Sequence, residues 1–319
     1  MDINIQSIIA QPPPKRARSP VTVTDPLNRA KVSDTQHSDA AETTTSSSSI
    51  QSQQSNLGVR TKEQEWVDKE IENTAKSAQG VLFSIAGRKY NKQLESISLK
   101  KIIEALQAKG AEINATDNDG MTALHVAARC RHVVAIKVLI ESGAEINATY
   151  KGGRAALYHA AENYGSVEAI MVLVEYGEEI NAKNRWGQTA LHVAASRGFI
   201  KVIKTLVDCG GKINAKDNIG WTALHVVAFH AKYGRVEAIN VLVECGAEIN
   251  AKDNRYRTAL HYAAEERHVE AIRKLIKCGA DIEAKTMNKW EETLFMIGCG
   301  SQEVIIVLLE MGVNLYIGE

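Results

Sequence analysis

The amino-acid sequence predicts an all-α solenoid: helix-turn-helix units stacked in single file, linked by short fingers built on β-turns, behind a disordered N-terminal tail. Three observations carry this reading. One phrase, NAKDNIGWTALH at residues 214–225, recurs as NATDNDGMTALH from Asn114, NAKNRWGQTALH from Asn181 and NAKDNRYRTALH from Asn250. Its equivalent positions at Asn114, Asn147, Asn181, Asn214, Asn250 and Glu283 lie 33, 34, 33, 36 and 33 residues apart. A glycine closes an apolar helical run before each return of the phrase, at Gly143, Gly177, Gly210, Gly246 and Gly279. A fixed period of this size marks a chain that grows by adding units rather than by closing around one core.

Residues 1–62 come first. They hold all five prolines, and nine of the thirteen residues from Thr43 to Ser55 are serine or threonine. So little apolar surface cannot offset the entropy of ordering the backbone, and a disordered tail is expected. Residues 63–113 form an N-terminal cap. Within it Trp66, Val67, Ile71 and Ala75 share a helix face, VLFSIA at Val81–Ala86 reads as a distorted first helix, and LKKIIEALQAKGAEI from Leu99 supplies a second. Five full units follow at 114–146, 147–180, 181–213, 214–249 and 250–282. Residues 283–319 are a degenerate closing unit, in which TALH has decayed to ETLF at Glu292–Phe295. The fourth unit carries extra residues between its helices, in FHAKYGR from Phe229, placing His230, Lys232 and Tyr233 on a loop that is either a secondary contact or a tolerated insertion.

Each part of the phrase has a physical task. Thr122, Thr189, Thr222 and Thr258 stand where a hydroxyl can accept the free N–H groups of a first helical turn. The alanine pairs that follow, such as Ala127-Ala128 and Ala194-Ala195, let neighbouring helices approach closely. A second helix holds the large apolar side chains, as in Ile136, Val138, Leu139 and Ile140. Glycine then stops it in the left-handed conformation. A lone unit would lose about 30–60 kcal/mol of backbone entropy at about 1–2 kcal/mol per residue. Its few large side chains return about 1.5–3 kcal/mol each, so the units must stack.

The period and the phrase resemble the ankyrin repeat family, whose T-P-L-H is written TALH at Thr122, Thr189, Thr222 and Thr258, over roughly residues 98–316. The resemblance implies that His125, His192, His225 and His261 hydrogen-bond neighbouring turn backbone rather than a metal ion. Tyr158 takes that place in the second unit, which puts its bond in question. His132 and His268 read as braces between the paired helices. The resemblance also implies a non-enzymatic scaffold or adaptor that binds a protein partner through finger tips and the exposed faces of first helices.

Composition narrows the function classes. Lys and Arg number 38 against 38 Asp and Glu, so no global field draws the chain to nucleic acid or to an anionic membrane. No apolar run reaches the roughly 20 residues of a membrane helix, and the first residues lack the pattern of a secretory signal. Cys209, Cys245 and Cys278 repeat as one packing position, not as a metal or disulfide pair. An intracellular protein of cytoplasmic or nuclear location, monomeric and without cofactor or metal, is expected. Phosphate loops, nucleophile elbows, HExxH and paired CxxC motifs are absent from the sequence; no catalytic residues are assigned.

What differs between the copies points to partners. The tips carry Arg154, then Arg185 and Trp186, then Trp221, then Arg255, Tyr256 and Arg257, then Trp290. Tryptophan, tyrosine and arginine dominate binding hot spots. Alternatively, Trp186 and Trp221 lie over the adjacent finger and shield its backbone. Lys183, Lys216 and Lys252 extend the positive character, so an acidic partner segment fits. Tyr256 replaces the usual turn glycine, and that finger is expected to bend differently. In the tail, Lys15, Arg16 and Arg18 within PPPKRARSP resemble a nuclear import signal, which phosphorylation of Ser19 would weaken. Asn147, Asn214 and Asn250 resemble asparagines hydroxylated in some ankyrin proteins. Two other readings of the array stand beside the scaffold: an inhibitor that masks a transcription factor or enzyme, and a host-directed effector of an intracellular microbe or virus.

Overall fold

A computed structural model describes residues 61–74, 76–87, 98–163, 165–231, 235–286 and 301–311. The cap contributes α1 (Lys62–Thr74), α2 (Ala78–Ala86) and α3 (Leu99–Ala108). The units then supply pairs: α4 (Ala123–Arg129) with α5 (Val133–Glu141), α6 (Ala156–Glu162) with α7 (Val167–Glu175), and α8 (Ala190–Arg197) with α9 (Ile200–Asp208). They continue with α10 (Ala223–Phe229) and α11 (Val236–Glu244), then α12 (Ala259–Glu265) and α13 (Val269–Lys277), and the described part closes on α14 (Gln302–Glu310). Among the described residues there is no strand, only isolated bridges such as Tyr150 with Arg154 inside a finger.

First helices pack on first helices, α4 to α6 to α8 to α10 to α12, and second helices likewise from α5 to α13 and on to α14. The alanine pairs explain the closeness of the first row: Ala127, Ala128, Ala160, Ala161, Ala194 and Ala195 are all fully buried. Between the rows run Leu124, Ile136, Leu139, Ile170, Leu173, Ile203 and Leu206, buried and continuous from one unit to the next. Truncating one of these leucines to alanine costs about 2–5 kcal/mol.

The ends of the helices follow the residues. Thr122, Thr189, Thr222 and Thr258 are the N-caps of α4, α8, α10 and α12. Their reciprocal partner is histidine, three residues on. The His192 Nδ1 accepts from the Thr189 amide at 3.2 Å and faces its hydroxyl at 2.9 Å, while Nε2 donates to the Trp221 carbonyl of the next finger at 3.0 Å. His125, His225 and His261 do the same toward Arg154, Arg257 and Ala284. Burial holds all four imidazoles below their ordinary pKa of 6.5, His261 down to about 4. A neutral ring with one acceptor and one donor nitrogen is what this bonding needs. His132 and His268 brace backward, onto the carbonyls of Ile85 and Phe229.

The second unit breaks the rule and repairs itself. Ala155 stands at its N-cap and cannot cap, and Tyr158 replaces the histidine. The Glu178 carboxyl, 4 % exposed, instead accepts from the Leu157 amide at 2.6 Å. At the position of Glu178 the other copies carry Ala111, Ala144, Gly211, Ala247 and Ala280. Burial pushes this carboxyl up to about 8, against the bond from Leu157.

Candidate protein-interaction site

The fingers of the first, third, fourth and fifth repeats are each fixed from inside by one short side chain, whereas the second has Tyr150 there and backbone bonds alone. The Asp217 Oδ1 accepts from the amides of Ile219 and Trp221 at 3.0 and 2.8 Å, and Asn184 and Asp253 repeat the arrangement. Such a turn holds the residues between at a rigid tip. The fingers are also tied into a row. Arg185 N donates to the Gly152 carbonyl at 2.8 Å, Asn218 N to Trp186 at 3.0 Å and Asn254 N to Ile219 at 3.2 Å. The ammonium groups of Lys183 and Lys216 donate to the carbonyls of Lys216 and Lys252, each at 2.8 Å.

Three of the sequence-selected residues meet in one cluster. The Arg154 guanidinium lies 5.0 Å from the Tyr158 ring centroid and 5.3 Å from that of Trp186, and Arg185 stacks on the same indole at 4.1 Å. Trp186 remains 39 % exposed. It also lies against Gly152 of the preceding finger, so shielding and display coincide. Among the described residues neither Arg154 nor Arg185 forms an ion pair with a carboxylate. Arg154, Tyr158, Trp186, Gln188 and Ile219 line a cavity of about 380 Å³.

Trp221 turns toward the helices. Its ring packs on Tyr262 at 4.6 Å and Phe229 at 5.2 Å between centroids, and the three form the wall of a second cavity of about 390 Å³. Phe229 and Tyr262 escaped sequence reasoning. The available signal was size, since Tyr262 stands where Val126, Val193 and Val226 stand in other units. Burial and a 2.6 Å bond to Asp253 push the Tyr262 hydroxyl up to about 12, so it stays a donor.

The basic side chains along the fingers differ in their partners. Lys183 and Lys216 are occupied by finger carbonyls, and Arg257 pairs with Glu265 at 2.7 Å. The finger of Tyr256 is not bent differently: Tyr256 adopts φ +62°, the left-handed region of Gly187 and Gly220, and the bonds from Tyr256 N to Asp253 and from Asp253 N to Arg257 match those of the sibling turns. Glycine is required in those siblings by space as well as by φ, because a Cβ at Gly187 would sit 2.4 Å from the Asn218 Oδ1. Arg255 is near the second cavity. Trp290, Lys15, Arg16, Arg18, Ser19, Lys232, Tyr233 and the ETLF segment lie outside the described residues.

The repeated asparagines are structural ties. Asn147, Asn214 and Asn250 accept from the amides of Glu179, Glu248 and Asp281 at 3.0, 2.9 and 2.8 Å. His159, buried beside His125 and Tyr150, has no hydrogen-bond partner on either ring nitrogen. Burial, with the nearby basic groups adding to it, lowers its pKa to about 3, so the 3.8 Å approach of Glu162 is not an ion pair.

The model for "Ankyrin repeats (3 copies)" matches residues 95–184, 176–253 and 229–317. The chain belongs to the ankyrin repeat family. Ankyrin repeats generally mediate protein–protein interactions, and the family is generally non-enzymatic. Among solved structures, the human ASB11 ankyrin repeat domain superposes with a TM-score of 0.61 at 23 % identity, over 73 % of this chain and 98 % of that one, which is a likeness of fold. No curated protein matches the chain. Among the described residues no helix is long and apolar enough to cross a membrane, and no three His, Cys, Asp or Glu side chains converge as metal ligands.

Proposed function

We propose that this ankyrin array is a non-enzymatic scaffold that docks an acidic segment of a partner protein on the fingers and first-helix faces of its second to fifth repeats. The observation that carries this is the stack of Arg154, Trp186 and Arg185: two guanidinium groups beside one exposed indole, neither in an ion pair among the described residues. A rigid array that presents such groups has little order left to lose on binding. Affinity purification of the tagged full chain, parent against an Arg154→Glu, Arg185→Glu double variant, tests it. The expected result is a partner captured by the parent and lost in the variant, with the helical circular dichroism unchanged. A partner set that survives both charge reversals overturns the reading.

The scaffold acts as a monomer, which sedimentation of the purified chain checks. The basic cluster of Lys15, Arg16 and Arg18 directs nuclear entry and Ser19 phosphorylation opposes it. A tail–reporter fusion that stays cytoplasmic with Ser19→Ala counts against both. Asn147, Asn214 and Asn250 are hydroxylation sites, and an intact-mass spectrum from cells without added oxygen atoms removes that assignment.

A further inference from the structure

The two cavities differ in electrostatic character, and the difference specifies a ligand. The first, between the second and fourth repeats, holds the Arg154 guanidinium beside the rings of Tyr158 and Trp186. Its Nε is buried without a partner and one terminal nitrogen donates to the Tyr150 hydroxyl at 3.3 Å, which leaves the other terminal nitrogen as the group that can meet a carboxylate. The cavity's carboxylate, Asp217, is already engaged by two amides of its own finger. Arg154 is the cavity's basic side chain, and among the described residues it has no ion-pair partner.

The second cavity, between the fourth and fifth repeats, is floored by Trp221, Phe229 and Tyr262. Here Arg257 pairs with Glu265, Asp253 is held by the Arg255 and Arg257 amides and the Tyr262 hydroxyl, and the side chains of Arg255 and Glu266 add one charge of each sign to the lining. Three packed aromatic rings at the floor suit an apolar or aromatic side chain. Ile219, 53 % exposed, lines both cavities and forms the ridge between them.

We infer that the occupant is one extended peptide segment of a partner protein, with a glutamate or aspartate seated on Arg154 and an aromatic or large aliphatic residue seated on the Trp221 floor. This rests on the scaffold reading above and adds a register to it. The cavity centres are about one and a half repeats apart, or about 15 Å at about 10 Å per packed helix. An extended chain covers that in about four to five residues at about 3.3 Å each. The ridge at Ile219 then separates the two anchors, and the residues between them cross it.

Fluorescence anisotropy with the full chain tests the register. Labelled peptides would carry one glutamate and one phenylalanine in a serine-glycine background, in both orders, at separations from two to eight residues. The expected result is tightest binding at a separation of four or five in one of the two orders. Changing either the glutamate to lysine or the phenylalanine to serine should weaken it at least ~10-fold, the factor set by about 1.4 kcal/mol. Arg154→Glu should abolish the preference for glutamate and leave the preference for phenylalanine. Affinity that is flat across separations, or that ignores either peptide substitution, overturns the register. The two failures are distinguishable. Loss of the purified partner on Arg154→Glu, Arg185→Glu without any peptide optimum removes the register and keeps the scaffold; an unmoved partner set together with flat peptide binding removes both.

Discussion

Replacing Glu178 with glutamine should remove a pH dependence of stability that the other repeats do not have. The carboxyl is buried, accepts from the Leu157 amide, and is pushed up to about 8 from an ordinary 4.5. The folded state therefore holds a proton that the unfolded chain has released. Its stabilising contribution is complete below about 4.5 and is lost as pH rises through about 8. The buried histidines work in the opposite sense. Their pKa values are lowered from 6.5, so their contribution is complete above 6.5 and is lost as pH falls through the folded values. Between pH 6.5 and 8 the histidines are silent, and Glu178 alone among these groups titrates. At 1.36 kcal/mol per pH unit the parent should lose about 2 kcal/mol across that window. Glutamine keeps an oxygen for Leu157 and carries no titrating proton, so the slope should vanish. Urea midpoints at several pH values between 6.5 and 8, with hydrogen exchange of the Leu157 amide to localise the effect, provide the measurement. A glutamine variant with the parent's slope would refute the reasoning.

Further expectations follow from the same contacts. Glu178→Ala alone should cost about 1 kcal/mol by leaving the α6 terminus uncapped, and adding Ala155→Thr should recover it, a coupling read by a double-mutant cycle of denaturation midpoints. Tyr256→Gly should stabilise the array by about 0.5–1 kcal/mol, relieving a left-handed non-glycine residue, whereas Gly187→Ala should cost at least about 2 kcal/mol because strain and the Asn218 contact add; thermal melts of both variants suffice. His192→Ala should cost about 2–4 kcal/mol through its orphaned cap and carbonyl. His159→Val should instead stabilise by about 1 kcal/mol and reduce acid lability, because neither ring nitrogen is satisfied. Equal losses at the two histidines in acid and neutral denaturation would contradict the bonding described.

The architecture was legible because it is written several times. Threonine caps, alanine pairs, the stopping glycine and the bridging histidine each recur at one spacing, and repetition separates signal from accident. The site was legible in part. Arg154, Arg185 and Trp186 could be chosen because tips carry what packing leaves free, but their meeting on one indole depends on finger-to-finger distance, which no single copy encodes. Lys183 and Lys216 could be read as charge, but not as ties to the carbonyls of the next finger, which only the stacking brings within reach. Tyr256 misled because a turn held by four hydrogen bonds can impose a φ that the residue itself resists. Glu178 escaped notice for the same reason that it matters: it answers a missing threonine at Ala155, and the two are brought together only by folding.

The lysine fasteners along the finger row have a chemical consequence. An acetyl group on Lys183 or Lys216 would take away a cation and weaken one tie between neighbouring fingers, while the backbone bonds from Asn218 and Asn254 keep the row together. Acylation would then be felt first as lost charge by a visitor gripping the row, with the teeth themselves still in place.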